Sequence, residues 1–551
     1  MSDYKVSKYL NFALSGLVSF SCFAKAENHQ KPNVLFFAVD DLKPILGCYG
    51  DKIIKTPNID KLAKRSSVFR SNYCQQALSG PTRASIMTGM RPDYTKVYTL
   101  QTKMRDVNPD ILSIPQYFIS QGYSSQGIGK VYDPRCVDEF YDKASWSVPY
   151  NNDEEIDEKY LDPAFGLPAL RGYQLPQTKE LINKYKDEAI AKGLTGDKIN
   201  DYVSKLIAPS VECADVTDNA YNDGVVALKS KKILEDLKKE NKPFFFAVGF
   251  HKPHLPFISP KKYWDLYKRE EMPLAEYQKV AVNSPLMAYN NFYELRYYSD
   301  IPPLGSFTDQ TNGIGILPDE KQRELIHGYY AAISYMDAQV GIVLNALDSL
   351  GLADNTIIVL WGDHGWHLGD HGLWCKHTNF EQATHAPLII SAPKYKASAT
   401  SSQTEFVDVF PTLCDLAGLK IPTHLDGQSL VPLMKNPIAK VKEFSVSQYP
   451  KYSLDFKGEK SKVTGAGDCM GYSIRNSRYR FTIWMNDNFR TSQVFDEKRL
   501  IASELYDYKV DPNETFNVVD DKKYAITRKE MYSQMLNYFE TQRIKLNKGS
   551  K

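Results

Sequence analysis

In Ser79-Gly80-Pro81-Thr82-Arg83 a hydroxyl stands four positions before an arginine, and three other polar clusters offer it partners: Asp40-Asp41, His251-Lys252-Pro253-His254 and Asp363-His364. Taken singly, each has an ordinary structural explanation. Ser79 could be the N-cap of a proline-started helix, an Asp pair a cap or turn, and a lone histidine a satisfied core residue. Their joint occurrence describes chemistry. The carboxylates of Asp40, Asp41 and Asp363, if crowded together, would raise one another's pKa unless a cation lay among them. An oxygen-rich ligand set favours Ca2+ or Mg2+ over Zn2+. An ion held by Asp40, Asp41, Asp363 and His364 beside Ser79, with Arg83 one helical turn further on, would bind a tetrahedral oxyanion and draw charge off its oxygens. Lys130, His251 and Lys376 add donors on the other side. Such a site suits cleavage of a sulfate or phosphate ester.

These residues are far apart in sequence, so a scaffold must bring them to one rim. Residues 34–39, 244–248, 357–361 and 388–390 read as buried strands, each lacking the polar alternation of a strand that faces water. Residues 58–69 and 321–350 have helical spacing, and in the second Ile333, Met336, Val340, Val343, Leu344 and Leu347 trace one apolar face. Strands alternating with helices predict an α/β fold, a large mostly parallel sheet sandwiched by helices. In such sheets functional groups lie beyond the carboxyl ends of strands. Asp40-Asp41, His251 and Asp363-His364 each follow a strand in this way. Two stretches, 132–216 and 259–318, are rich in Pro, Tyr, Asn and charge and read as insertions walling a pocket. After about residue 436 come short strands such as 479–484 and a final helix over 527–545, which predicts a smaller C-terminal α+β subdomain with an antiparallel sheet. The expected domains are a catalytic domain over 27–435 and that subdomain over 436–551.

Composition narrows the function classes. With 551 residues, 42% hydrophobic and 24% charged, the chain is an ordinary globular protein too long for one small core. A net charge of +2 supplies no global field toward nucleic acid or an acidic membrane, so an anionic substrate must be attracted locally. The 36 tyrosines offer flat amphipathic surface for sugar rings or for core edges. Residues 1–26 read as an export signal, with Lys5 and Lys8, an apolar run and Ala24-Lys25-Ala26 as the cleavage site. The run is short for a bilayer span and is interrupted by Ser15, Gly16, Ser19 and Ser21, which argues against a stable membrane anchor. Cys22 is a poor lipidation site, because Ser19 stands where a leucine is usual. The remaining seven cysteines include no C-x-x-C pair, which argues against structural zinc.

An ordered series of motifs adds to this reading: Asn33-Val34-Leu35 into Asp40-Asp41, Thr56-Pro57-Asn58-Ile59-Asp60, Ser79 to Arg83 with Arg91-Pro92-Asp93, Gly129-Lys130-Val131, Gly249-Phe250-His251-Lys252-Pro253-His254, Asp363-His364-Gly365-Trp366, and Met470 to Arg475. In this order they resemble the formylglycine-dependent sulfatases of the alkaline-phosphatase-like superfamily. The resemblance implies one Ca2+ held by Asp40, Asp41, Asp363 and His364 against residue 79. It also implies conversion of Ser79 to formylglycine (3-oxoalanine) by a serine-type maturating enzyme that reads Pro81 and Arg83. In that family the hydrated aldehyde attacks sulfur and later expels sulfate, a route a plain serine lacks. Arg83 would stabilise the hydrate and the metal site, Lys130 and Lys376 would bind sulfate oxygens, and His251 would protonate the leaving oxygen. Trp366 would form a pocket wall or pack in the core. His254, His367 and His371 have weaker claims and read as supporting residues. Asp133 departs from the pattern, which has a histidine there, and at neutral pH a carboxylate cannot donate a proton or add positive charge. The implied protein is a periplasmic or secreted enzyme acting on a sulfated polysaccharide or glycosaminoglycan-type oligosaccharide. Two other readings keep the same pocket: a phosphomonoester or phosphodiester hydrolase using unmodified Ser79, and a non-catalytic carbohydrate-binding descendant.

Overall fold

The strand Asn33–Val39 is buried at every position, and its alternate side chains enter two different cores. Leu35, Phe37 and Val39 pack with Ile333, Met336 and Val340 of the long helix Asp319–Ser349. Val34, Phe36 and Ala38 pack with Ile86 and Met87 of the helix Ser79–Thr88. Apolar layers on both faces explain why the strand is a continuous hydrophobic run. This computed structural model describes residues 31–152, 156–290, 292, 294–304, 316–451, 468–486 and 497–548. The export signal expected at 1–26 lies outside them.

The main sheet has seven strands in the order Ser398–Glu405, Ser67–Tyr73, Leu388–Ser391, Thr356–Gly362, Asn33–Val39, Phe244–Phe250, Ser124–Gly129. Pairing is parallel throughout except around Leu388–Ser391, which runs against both of its neighbours. The four adjacent strands from Thr356–Gly362 to Ser124–Gly129 therefore end on one edge. Four further strands, Ser445–Lys451, Cys469–Arg475, Tyr479–Met485 and Leu500–Asp507, form an antiparallel C-terminal sheet. Met531, Met535 and Phe539 of the last helix, Ala525–Lys548, join its core.

The helix expected over 58–69 is two elements: a seven-residue helix Pro57–Ala63 and a strand Ser67–Tyr73. Val68 and Phe69 continue the helical apolar spacing, but Ser67–Tyr73 instead pairs between the strands Leu388–Ser391 and Ser398–Glu405. Cys48, Cys74, Cys136, Cys213, Cys375 and Cys414 are free thiols. No helix among the described residues is long and apolar enough to cross a membrane.

Candidate active site

The polar clusters meet because their strands are neighbours. Asp40 N–H donates to Phe250 O at 3.1 Å, Asp363 N–H to Val39 O at 3.1 Å, and Lys130 N–H to Gly249 O at 3.2 Å. Each residue just past a strand end is thus hydrogen-bonded across to the next strand. Gly249 must be glycine for this approach, since a Cβ there would collide with the Lys130 backbone. The order along the rim is Asp363-His364, Asp40-Asp41, His251, Lys130.

Ser79 comes from the opposite side. Leu78 occupies the N-cap and Ser79 is the first residue of the helix, with no capping hydrogen bond from a side chain. The cap role open to Ser79 in the sequence is therefore not the one its hydroxyl takes. Ser79 Oγ lies 3.3 Å from Asp40 Oδ1 and 3.3 Å from His364 Nε2. Arg83, one turn on, is fully buried and ties the rim together. Its Nη2 donates to Asp40 Oδ1 at 2.9 Å, its Nε to Asp363 Oδ2 at 3.2 Å, and its Nη1 to Val131 O at 3.0 Å. Its guanidinium also lies 5.4 Å from the Trp361 ring centre.

Two ammonium groups bracket the aspartates. Lys130 Nζ reaches Asp40 Oδ2 at 2.5 Å and Lys376 Nζ reaches Asp41 Oδ1 at 2.8 Å. Burial would raise the Asp40 carboxyl, but Lys130 and Arg83 hold it well below its usual range. Burial raises Asp41 and Asp363 in spite of Lys376 and Arg83. The protein's own cations therefore compensate the first aspartate and leave the other two wanting positive charge.

A metal ion fits that deficit. Asp41 Oδ2 is buried with no hydrogen-bond donor. His364 Nδ1 is 3.0 Å from Gly365 O, which places the ring proton there and leaves Nε2 as a lone pair. That lone pair faces Asp41 Oδ1 at 3.4 Å and Asp363 Oδ2 at 3.5 Å, and burial lowers the imidazole to about 4, so it stays neutral. Lone pairs converging without a proton between them are repulsive unless a cation sits among them. Ligand atoms of Asp41, Asp363 and His364 all lie within 4.8 Å of one another. Carboxylates and a hydroxyl suit a hard cation such as Ca2+.

Beside this centre lies a cavity of about 520 Å³ lined by His251, His254, Lys252, Asp223, Arg171 and Tyr335 among others. The stretch 168–172 of the first insertion forms part of its wall, as its composition predicted. His251 is half-buried on that wall, and its backbone N–H donates to Asp223 Oδ1 at 2.9 Å.

Three side chains add to the sequence reading: of the two roles open to Trp366 the core one is found. Trp366 is completely buried, its ring stacked on Tyr329 and 4.9 Å below the Lys376 ammonium. It supports Lys376 from the core, and it is not part of the cavity lining. His254 is more central than expected: Nδ1 is 2.6 Å from Leu255 O, and Nε2 lies 3.1 Å from Glu294 Oε1 and 3.7 Å from Asp41 Oδ2. Glu294 went unnoticed in the sequence, yet it also accepts from Lys376 Nζ at 3.2 Å. It carries no motif; only its place in the 259–318 insertion pointed toward the pocket. His367 and His371 are supporting residues, bonded to Thr378 Oγ1 at 2.9 Å and Glu514 O at 3.1 Å.

A mostly parallel α/β sheet whose strand ends gather carboxylates, an imidazole, lysines and a helix-borne hydroxyl suits metal-assisted cleavage of an anionic ester. The comparisons with known proteins are narrower. The family model "Sulfatase" matches residues 32–419, and "N-sulphoglucosamine sulphohydrolase, C-terminal" matches 369–541. Iduronate 2-sulfatase of Mus musculus is 34% identical over 548 residues, covering 90% of this chain and 92% of the relative. The human iduronate 2-sulfatase is 34% identical over 542 residues, covering 89% and 92%. A solved complex with D-glucosamine-2-N,6-O-disulfate shares the fold, with a TM-score of 0.63 and 22% identity over 94% of this chain and 99% of that one. Phosphonate monoester hydrolase of Agrobacterium radiobacter does so too, at TM-score 0.64 and 23% identity over 93% and 96%. The chain belongs to the sulfatase family and is a sulfuric ester hydrolase.

Proposed function

We propose that this sulfatase is exported, that Ser79 is converted to formylglycine by a serine-type maturating enzyme, and that a single Ca2+ is held by Asp40, Asp41, Asp363, His364 and residue 79. Its substrate is a sugar ester sulfate within a sulfated polysaccharide or glycosaminoglycan-type oligosaccharide. The reading rests on one observation above all: Ser79 Oγ lies at a buried helix start, 3.3 Å from both Asp40 Oδ1 and His364 Nε2. The relatives that bear sulfated-sugar names, iduronate 2-sulfatase and an N-acetylglucosamine-6-O-sulfatase of Bacteroides thetaiotaomicron, support the substrate class.

When bound, the cation supplies Lewis-acid stabilisation of negative oxygen beside residue 79. The chain's own groups do the rest. Lys130 and Lys376, now paired with Asp40 and Asp41, are in place to bind sulfate oxygens by charge-assisted hydrogen bonds. Arg83 fixes Asp40 and Asp363 in one geometry. His251, on the cavity wall, gives a proton to the leaving sugar oxygen, a transfer an imidazole can perform. The N-terminal end of the Ser79–Thr88 helix favours an anion through its backbone dipole.

The test is mass spectrometry of the peptide around Ser79 from protein made in its native host. Loss of two hydrogens from the serine is the expected result, together with hydrolysis of aryl sulfates. Full sulfatase turnover by protein carrying only unmodified Ser79 would overturn the formylglycine assignment.

A further inference from the structure

Asp133 is 1% exposed, and its carboxylate is taken by a neighbour two residues away. Its Oδ1 accepts from Arg135 N at 3.1 Å and Arg135 Nε at 2.9 Å, and its Oδ2 accepts from Arg135 Nη2 at 2.8 Å. This is a two-pronged carboxylate–guanidinium fork. Burial would raise the carboxyl, but the Arg135 fork and Lys130 hold it below its usual range. It is therefore not the group that exchanges a proton with substrate. The arginine is different: its side chain is 58% exposed, and no described residue accepts from its Nη1.

The position of this pair is set by the catalytic helix. The turn Pro134–Cys136 packs on the start of Ser79–Thr88 so closely that a Cβ on Gly80 would run into Cys136 Sγ. Arg135 is thus next to the residue that touches the neighbour of Ser79. On its other side, Lys130 reaches Asp40 Oδ2. A solvated surface ion pair has both partners in water and contributes little. Here the acid is buried and the base is presented to solvent, an arrangement that orients a guanidinium toward an incoming ligand at small entropic cost.

We propose that Asp133 and Arg135 form a second-anion subsite beside Lys130 and the start of the Ser79–Thr88 helix. Asp133 positions the guanidinium, and Arg135 binds a carboxylate or second sulfate on the sugar whose ester sulfate lies against Lys130 and Lys376. The proposal rests on the sulfate-ester reading above. With a net charge of +2 the chain has no global field to select polyanions, so a local pinned arginine does it.

The experiment compares three aryl glycosides with the matured full-length enzyme: a monosulfated neutral hexose, the same hexose with a carboxylate at its last carbon, and the same hexose with a second sulfate. Each is tested as a competitive inhibitor of 4-methylumbelliferyl sulfate hydrolysis, so none need be a substrate. Wild type is expected to bind one of the dianionic glycosides more tightly than the neutral-sugar one, and which one identifies the anion. Arg135→Gln should remove that preference by roughly 10- to 100-fold while leaving 4-methylumbelliferyl sulfate turnover within about twofold. Arg135→Lys should recover part of it, and Asp133→Asn should weaken dianion binding without changing turnover of the aryl sulfate. Equal inhibition of wild type by all three glycosides, or an Arg135→Gln preference unchanged from wild type, would overturn the subsite. Failure of the wild type to hydrolyse 4-methylumbelliferyl sulfate would count against the sulfatase reading instead.

Discussion

At residue 41 the site makes an electrostatic demand that its own cations do not meet. Asp41 is fully buried, one of its oxygens lacks a donor, and burial raises its carboxyl despite Lys376 nearby. Burial raises the Asp363 carboxyl too, although Arg83 and, less strongly, Lys376 offset it. A cation resolves both, so ligand binding and folding are linked. Chelation of the purified enzyme is expected to abolish aryl sulfate turnover and lower the melting temperature by a few degrees, with Ca2+ restoring both. In Asp363→Asn the melting temperature should no longer respond to added Ca2+. A calorimetric scan with and without chelator decides it, and an unresponsive wild type would remove the metal from the proposal.

Among the elements, the strands were easier to foresee than the segment from 58 to 73. Runs buried on both faces, such as Asn33–Val39 and Thr356–Gly362, advertise themselves by composition. Ser398–Glu405 does not: its sequence SATSSQTE is polar, and it is a strand because it lies parallel to Ser67–Tyr73 at the sheet edge. Its last residue, Glu405, has a structural role. Its carboxylate accepts from Arg91 Nη1 and Nη2 at 2.8 Å each, from Lys442 Nζ at 2.6 Å and from Val446 N at 2.9 Å. It thereby joins the sheet edge to Arg91, just past the catalytic helix, and to the C-terminal sheet. Burial opposes its ionisation, but Arg91 and Lys442 win and lower it to about 2. A depressed carboxyl contributes stability above its unfolded value, and that contribution is lost as pH falls through about 2. Glu405→Gln should cost about 3–5 kcal/mol at pH 7, because Arg91 loses its buried counter-ion, while Lys442 keeps Asp408 at 2.8 Å. The deficit should shrink toward acid pH; denaturant unfolding across pH 7 to 3 measures it, and a pH-independent deficit would refute the linkage.

For the molecule as a whole, the C-terminal sheet braces the catalytic rim. Lys451, the last residue of Ser445–Lys451, donates from Nζ to Tyr289 O at 2.7 Å and His377 O at 2.8 Å. Asn379 Nδ2 donates to Gly471 O at 3.1 Å, and Arg475 and Arg480 both hold Glu381, at 3.0 and 2.6 Å. These contacts fix the segment that carries Lys376. Lys451→Met should leave the fold intact but lower kcat/KM on aryl sulfates by roughly 10-fold or more, since small misplacements of a binding group are costly. An unchanged kcat/KM would separate the C-terminal sheet from the chemistry.

Sequence by itself pointed to the family and to the sheet's core strands, and it singled out Asp40, Asp41, Ser79, Arg83, Lys130, Asp363 and His364 as candidates because each stands in a local motif beside a recognisable strand or helix; Lys376 was a candidate without one. Tertiary structure alone decided the rest. Glu294 reaches Lys376 and His254 from an insertion without periodicity, and Trp366 supports Lys376 from the core. Asp133 turns its carboxylate to Arg135. The Glu294 contacts depend on which loop folds over the rim across tens of residues of chain; the Trp366 and Asp133 contacts are short in sequence, but burial and side-chain direction decide them, and no local pattern records those.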